Sequence, residues 1–277
     1  MKKIVIVGGV AGGASAAARI RRLDEDAEIV MFEKGAHVSF SNCSLPFYLS
    51  RIVKNSERLL MMTPETFKSR YNIDARVHQE VIAINRDEKT VTVKNHVTNE
   101  TYEKRYDVLI LSPGASPIVP NIPGTDFAHV FTVRNVDDII RLDEAITAND
   151  AKHIAVIGGG FIGVEVAENL RLAGRNVTLV EFAPQILTPF DDDIVQLLHK
   201  EMIDKGVDLI VEDGLAEISE SSITLQSGKV IEADIVVLAI GVRPETTLAK
   251  EAGLEIGETG AIKVNQNYQT SDPSIYA

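Results

Sequence analysis

The chain carries one structural unit twice, and this repeat limits its possible folds more than any other feature. Each copy is an apolar strand, a glycine-rich turn, a helix and a second strand that ends in a glutamate. The first copy consists of Ile4–Val7, Gly8–Gly13, Ala16–Leu23 and Glu28–Phe32 with Glu33, and the second of Ile154–Ile157, Gly158–Gly163, Val164–Ala173 and Val177–Val180 with Glu181. Continuous Ile- and Val-rich runs that alternate with helices are typical of buried parallel strands. The repeat therefore predicts an α/β protein with two Rossmann-like domains.

Short runs of alternating character follow each unit and predict a β-meander in each domain, so that each domain has three layers. In the first half these runs are Val77–Ile84, Thr90–Lys94 and Tyr102–Leu111, and in the second they are Val207–Val211, Ser222–Leu225 and Val230–Ala239. The segment Pro117–Pro123 holds three prolines in seven residues, which predicts a linker between the two halves.

The second glycine turn has the full G-x-G-x-x-G spacing. Gly158 permits the tight turn, Gly160 lets the backbone approach a pyrophosphate, and Gly163 lets the helix pack on the strand. The N-terminus of the following helix directs backbone N–H groups at the phosphates. Glu181 lies 18 residues after Gly163, where an acid accepts hydrogen bonds from a ribose diol. Because Phe182 follows, with no arginine to neutralise a 2′-phosphate, the turn favours NADH over NADPH.

The first glycine turn departs from that spacing at its middle position, where Val10 stands. Gly8 and Gly13 match the pattern, Gly12 offers a further close approach, and Glu33 closes the unit. Two adjacent dinucleotide sites are the layout that hydride transfer from NADH to a flavin needs. The two turns together therefore indicate two cofactors, NADH and a flavin.

Cys43 is the single cysteine, so neither an internal disulfide nor a Cys-x-x-Cys pair is possible. We expect Ser41 or Asn42 to cap a short helix that begins near Cys43, and a thiol at a helix N-terminus is more readily ionised. Oxidised Cys43 would be a mixed disulfide with a small thiol, a persulfide or a sulfenic acid. The alternative is a buried structural cysteine, a common fate of a lone cysteine.

Composition narrows the class of partner. The 28 Lys and Arg against 40 Asp and Glu give a net charge of −12, which argues against nucleic acid and anionic membrane surfaces. The apolar run after Lys2 and Lys3 is too short for a signal peptide, and no run is long enough to span a bilayer. We therefore expect a cytoplasmic protein. The six His show no metal-ligand spacing, and Asp191–Asp193 is expected to start a helix rather than to bind a metal.

Taken together, the motifs resemble the FAD-dependent pyridine nucleotide-disulfide oxidoreductases. Within that family they are most similar to the coenzyme A-disulfide reductase group, whose relatives include NADH oxidases, NADH peroxidases and persulfide reductases. The matching segments are Ile6–Ala14, Ile20–Asp24, Ser39–Pro46, Leu111–Ala115 and Val242–Pro244. They are spread over nearly the whole chain, and Val10 in place of a glycine is usual in this group.

The resemblance implies three sets of site residues. FAD would contact Gly8, Val10, Ala11, Gly12, Gly13, Glu33, Lys34, Val81, Ser112, Pro113, Gly114 and Arg134. NADH would contact Gly158, Gly160, Phe161, Ile162, Gly163, Glu181 and Gly241, with Glu165 a loose candidate for orienting it. Coenzyme A would face Ser15, Arg19, Arg22, Ser39 and Asn42, with Lys68 and Arg70 as weaker candidates. The two helical arginines suit its phosphates.

The resemblance also implies the reaction. Electrons would pass from NADH through FAD to Cys43, the catalytic residue, which would reduce coenzyme A disulfide or a related disulfide or persulfide. Two alternatives remain open: an NADH oxidase or peroxidase that uses a Cys43 sulfenic acid, and a dinucleotide-binding fragment with impaired catalysis.

The resemblance finally implies a domain order. Residues 1–117 would be the first part of the FAD-binding domain, residues 118–244 the inserted NAD(H)-binding domain, and residues 245–277 the start of an incomplete return to the FAD domain. A C-terminal dimerisation domain would follow in a longer parent protein, which we expect to be a homodimer. The present chain is expected to bind FAD weakly, to be a poor catalyst, or to be a fragment of a longer protein.

Overall fold

The computed structural model describes residues 1–277, which contain eighteen strands and seven α-helices. The strands are β1 Lys3–Val7, β2 Glu28–Phe32, β3 Asp74–Arg76, β4 Gln79–Asn85, β5 Thr90–Asn95, β6 Thr101–Arg105, β7 Val108–Leu111, β8 Ala115–Pro117, β9 Val130–Thr132, β10 His153–Ile157, β11 Asn176–Val180, β12 Val207–Ile210, β13 Leu215–Ile218, β14 Ser222–Leu225, β15 Val230–Glu232, β16 Ile235–Leu238, β17 Val242–Pro244 and β18 Ile275–Tyr276. The helices are α1 Ala11–Leu23, α2 Pro46–Leu49, α3 Pro64–Tyr71, α4 Val136–Ala148, α5 Phe161–Leu172, α6 Asp192–Asp204 and α7 Thr247–Glu251.

The chain forms two compact units. The first comprises Met1–Ser41, Leu60–Ser116 and Arg243–Ala277, and the second comprises Asn42–Leu59 and Pro117–Val242. No helix combines the length and the apolar character that crossing a lipid bilayer requires.

The first unit is built on a parallel sheet of order β18-β7-β1-β2-β3. Alternate residues of β1 serve its two faces: Ile4 and Ile6 pack with Ala14 and other residues of α1, whereas Val5 and Val7 pack toward the meander. Covering on both faces explains why the strand reads as one continuous apolar run. The meander is the antiparallel sheet β4-β5-β6. These layers confirm the predicted α/β class.

The second unit repeats this plan. Its parallel sheet has the order β12-β11-β10-β16-β9, and its meander is the antiparallel sheet β13-β14-β15. Ile157 and Leu238 of the parallel sheet share one core with Ile223 and Leu225 of the meander. That core holds the two layers together.

Three of the predicted strand assignments are corrected. The run Val207–Val211 is not part of the meander, because β12 pairs with β11 in the parallel sheet; the first meander strand is instead β13. The runs Tyr102–Leu111 and Val230–Ala239 each divide into a meander strand and a parallel strand. Short apolar runs have the same pattern in either sheet, so the sequence alone does not separate them.

One domain boundary also differs from the prediction, since residues 42–59 belong to the second unit rather than to a first domain of residues 1–117. Helix α2 packs against α4 and α5. The Ser50 hydroxyl donates to Asn169 Oδ1 at 2.6 Å, and Arg51 pairs with Asp143 at 2.9 Å. These contacts fix the segment that carries Cys43 to the second unit.

The last segment returns to the first unit. β18 pairs with β7, and the Arg86 guanidinium donates to the buried Asp272 carboxylate at 2.9 Å. This ion pair fixes the end of the chain beside the first parallel sheet.

Candidate functional site

The glycine turn of the second unit connects β10 to α5. Gly158 has φ +106°, and a Cβ there would lie 2.4 Å from the Ala239 carbonyl oxygen. A Cβ at Gly163 would lie 1.8 Å from the Gly158 carbonyl oxygen. These two glycines are therefore required by the fold itself. A Cβ at Gly160 would meet no atom within 4 Å, so this glycine leaves open space before the N-terminus of α5. Open space before a helix N-terminus is the arrangement that binds phosphate groups in other proteins.

Glu181 directly follows β11 and is fixed against this turn. Its carboxylate accepts a hydrogen bond from the Gly159 N–H at 2.5 Å and another from the Ala183 N–H at 2.7 Å. A carboxylate has about four lone-pair sites, so two remain for the diol of a ribose.

A cleft of about 540 Å³ opens in front of the turn. It brings together five of the predicted NADH residues, Gly158, Gly160, Phe161, Glu181 and Gly241. Its lining also includes Pro120, Phe182, Leu187, Thr188, Pro189, Asp213, Gly214 and Gln226.

Two predicted NADH residues do not line this cleft. Ile162 is exposed, and Gly163 is buried where α5 meets β10. Glu165, the loose candidate, is also outside the lining; burial, with the nearby Glu168 carboxylate, raises its pKa. Asp213 and Gln226 lie on loops of the meander, and no local motif marked them.

The turn of the first unit has the same construction. Gly8 has φ +94°, and a Cβ there would lie 1.9 Å from the Ser112 carbonyl oxygen. A Cβ at Gly13 would lie 1.9 Å from the Gly8 carbonyl oxygen. The Glu33 carboxylate accepts from the N–H groups of Gly9 at 2.9 Å and Gly35 at 2.8 Å. An anchored acid beside a helix N-terminus is the donor and acceptor set that a dinucleotide needs.

A cleft of about 330 Å³ lies beside this turn. It brings together the predicted FAD residues Gly8, Glu33, Lys34, Val81 and Pro113. Val10, Ala11, Gly12 and Gly13 lie instead at the start of α1, and Ser112 and Gly114 flank Pro113 outside the lining.

The sequence missed the other side of this cleft, which Glu245, Thr247, Leu248 and Glu251 supply from the returning segment. Hydrogen bonds from Thr247 lower the pKa of Glu245, which keeps it anionic. No motif marks these residues, because only the long-range return of the chain places them there.

The segment that follows each glutamate also contacts the glycine turn and holds it in place. Five residues after each glutamate, Val38 and Ile186 pack on the second glycine of the turn, where an added Cβ would lie 2.7 Å and 2.5 Å from their side chains. The next residues, Ser39 and Leu187, donate their N–H groups to the carbonyl oxygen of that same glycine at 2.8 Å. Both have left-handed backbones, with φ of +47° and +46°. The repeat therefore includes a clamp beyond the glycines.

Cys43 is exposed, so the buried structural alternative is wrong. Instead of the regular helix expected near it, the structure has a single 3-10 turn, Asn42–Ser44, followed by the four-residue α2. Leu45, Pro46 and Leu49 are buried beneath this segment. The thiol is therefore exposed on a turn with an apolar anchor.

Helix α1 presents three of the predicted coenzyme A residues, Ser15, Arg19 and Arg22, on one exposed face, since they lie at positions i, i+4 and i+7. Arg21 differs, because its guanidinium donates to five backbone carbonyl groups around the ends of α1 and α3. Asn42 is exposed in the second unit.

The remaining candidates lie elsewhere. Lys68 donates to Asn72 at the end of α3, and Arg70 is exposed on the same helix. Arg134, predicted to contact FAD, precedes α4 in the second unit, where its N–H donates to Asp138.

The acidic cluster starts a helix, as expected: Asp191 is the N-cap of α6, and Asp192 and Asp193 lie in its first turn. No three His, Cys, Asp or Glu residues are grouped to hold a metal ion.

Comparison with curated proteins gives long matches. Coenzyme A disulfide reductase of Staphylococcus haemolyticus is 38% identical over 277 residues, which are 100% of this chain and 62% of that protein. The Staphylococcus aureus protein of the same name is 39% identical over 277 residues, 63% of its length. The chain therefore spans under two thirds of the curated relatives it matches.

Solved structures agree with this comparison. Reduced CoADR-RHD of Bacillus anthracis superposes with a TM-score of 0.98 at 52% identity, covering 100% of this chain and 50% of that one. The NAD-dependent persulfide reductase of A. fulgidus has a TM-score of 0.96 at 34% identity, and the match covers 99% of this chain and 52% of that one. The water-forming NADH oxidase of Lactobacillus brevis has a TM-score of 0.93 at 31% identity, and the match covers 100% of this chain and 62% of that one. The pyridine nucleotide-disulphide oxidoreductase family itself matches residues 2–277, and the chain belongs to that family.

Proposed function

We propose that this chain supplies the nucleotide sites and the reactive thiol of an enzyme that uses NADH and FAD to reduce coenzyme A disulfide or a closely related disulfide. The carrying observation is the combination of two glycine-turn clefts, each with an anchored glutamate, and one exposed cysteine. Curated relatives named coenzyme A disulfide reductase support this choice of substrate.

NADH rather than NADPH is the proposed donor, because the lining of the larger cleft contains no Lys or Arg. Its charged residues are Glu181 and Asp213. Hydrogen bonds from Ser227 lower the pKa of Asp213 and keep it anionic. A 2′-phosphate would therefore meet two carboxylates and no cation, which opposes its binding.

Cys43 carries the proposed sulfur chemistry. Its thiolate attacks one sulfur of the substrate disulfide; a bond forms between Sγ and that sulfur, the substrate S–S bond breaks, and one thiolate leaves. Release of the second thiol restores Cys43 and consumes two electrons from NADH. A bound FAD would supply the two-electron chemistry between NADH and sulfur. The exposed turn of Cys43 gives a bulky disulfide access to the thiol.

Coenzyme A is the proposed substrate class because α1, the helix that follows the first glycine turn, offers exposed cations. Arg19 and Arg22 lie on one helix face with Ser15, a spacing that suits phosphate groups. We expect the parent protein to be cytoplasmic and to form a homodimer. Analytical ultracentrifugation of the parent protein tests the homodimer, and a monomer would contradict it.

The test is NADH consumption by the purified protein reconstituted with FAD, with coenzyme A disulfide and glutathione disulfide as acceptors. We expect faster turnover with coenzyme A disulfide, loss of turnover in Cys43→Ser, and slower turnover with unchanged flavin content in Arg19→Ala/Arg22→Ala. Equal rates with both disulfides, or full activity in Cys43→Ser, would refute the proposal.

An NADH oxidase is the second candidate, because the Lactobacillus brevis NADH oxidase shares the fold of this chain at 31% identity. In that case NADH consumption would proceed with oxygen alone. Oxygen uptake that matches NADH consumption without any disulfide would favour this candidate.

A further inference from the structure

We propose that His199 is a positioning residue for the NADH cleft. Its neutral imidazole holds the segment 183–190, here called the lip, against the glycine turn, so that dinucleotide affinity falls when the imidazole is protonated. The inference rests on the proposed function, because NADH is the ligand of that cleft.

The contact between His199 and the lip is buried. The Ile186 N–H donates to His199 Nε2 at 3.3 Å, and the two residues are 0% and 9% exposed. An imidazole that accepts at Nε2 must carry its proton on Nδ1, so only the neutral form makes this bond. The imidazolium would instead direct an N–H at the N–H of Ile186.

The lip is in turn fastened to the glycine turn. The Ile186 side chain packs on Gly159, and the Leu187 N–H donates to the Gly159 carbonyl at 2.8 Å. Leu187, Thr188 and Pro189 then line the cleft. A displacement of Ile186 would therefore disturb both the turn and the wall of the cleft.

No charged group compensates for a proton on His199. The lip has no titratable side chain, and β12, which packs against α6, contributes only the exposed Asp208. The charged residues of α6 itself, Asp192, Asp193, Lys200, Glu201 and Asp204, are all exposed.

Burial lowers the pKa of His199 below its ordinary value of 6.5. Above pH 6.5 the imidazole is neutral whether buried or exposed, so its burial adds no pH-dependent free-energy cost. Below that pH, the free-energy cost of keeping it buried grows as the pH falls. Movement of the lip away from His199 would relieve this penalty.

The test is calorimetric titration of the purified protein with NAD⁺ between about pH 5.5 and pH 8, a range in which histidine titrates. We expect binding to weaken toward the acid end by up to about tenfold, the limit that linkage sets one pH unit below 6.5. His199→Gln keeps an acceptor without a titrating proton, so its affinity should depend little on pH. His199→Phe should bind weakly throughout. His153→Gln, at the opposite end of β10, should behave as wild type.

Affinity that is independent of pH in the wild type, or an equal pH dependence in His199→Gln, would overturn the inference. Absence of NAD⁺ binding at every pH would contradict the proposed function instead. In that event the NMR chemical shift of the Ile186 backbone amide still tests the positioning role of His199. The shift should change with pH in the wild type and stay constant in His199→Gln. An Ile186 amide that does not titrate in the wild type refutes the positioning role.

Discussion

Replacing Gly160 by alanine should separate the stability of the second glycine turn from its ligand affinity. Gly160 is the N-cap of α5 with φ −74° and ψ −178°, an extended backbone that alanine adopts readily. A Cβ there would meet no protein atom within 4 Å. The methyl group would instead occupy the open space beside the helix N-terminus that we propose for a pyrophosphate.

The expected magnitudes follow from these contacts. Alanine at an N-cap costs about 0.5–1 kcal/mol relative to glycine, and the lower entropy of the unfolded chain returns a similar amount. The melting temperature should therefore change by less than about 3 °C. Loss of one hydrogen bond between the backbone and a charged phosphate is worth about 1.5–3 kcal/mol, which corresponds to roughly 10- to 150-fold weaker NAD⁺ binding.

Gly158→Ala is the matched control. Alanine at this position would be strained by the φ of +106° and would place its Cβ 2.4 Å from the Ala239 oxygen. We expect the free energy of unfolding to fall by about 4 kcal/mol or more, and the melting temperature by about 10 °C. Thermal denaturation and calorimetric NAD⁺ titration measure both properties for both variants. Unchanged NAD⁺ affinity in Gly160→Ala, or a loss of stability as large as that of Gly158→Ala, would refute the reasoning.

Two further changes test the cofactor preference and a structural arginine. The double change Glu181→Ser/Phe182→Arg removes a carboxylate from the ribose site and adds a cation, so steady-state kinetics should show a shift in the NADPH/NADH preference of at least about tenfold; an unchanged ratio would show that the 2′-phosphate binds elsewhere. Arg21→Lys should destabilise the protein by about 2 kcal/mol in urea denaturation, because lysine cannot reach five carbonyl groups, whereas exposed Arg22→Lys should cost less than about 0.5 kcal/mol; equal effects would contradict the assignment of Arg21 as structural.

The sequence predicted the features that depend on local backbone geometry. Gly8 and Gly158 have positive φ, and the residues that follow the neighbouring parallel strands, Ser112 and Ala239, lie within contact distance of them; this requirement is visible as a spacing of glycines. The two acids that directly follow β2 and β11 were equally predictable, because a parallel strand of similar length places each of them at the same edge of its sheet.

What the sequence did not predict depends on contacts between distant segments. Val207–Val211 has the composition of a meander strand, and only its pairing with β11 assigns it to the parallel sheet. The segment 42–59 lies along the chain between two stretches of the first unit, yet the contacts of Ser50 and Arg51 place it in the second. Glu245 and Thr247 reach the smaller cleft through the return of the chain, which no periodicity reveals.

The clamp after each acid shows why a predicted site residue can have two roles. The family resemblance implies that Ser39 faces coenzyme A, and its backbone N–H also holds the first glycine turn through the Gly9 carbonyl. Leu187 occupies the equivalent position in the second unit with the same left-handed backbone and no polar side chain. The backbone role therefore does not require serine, and the Ser39 side chain is available for a contact with a ligand. Substitution by asparagine, which tolerates this conformation, would preserve the clamp while changing the side chain.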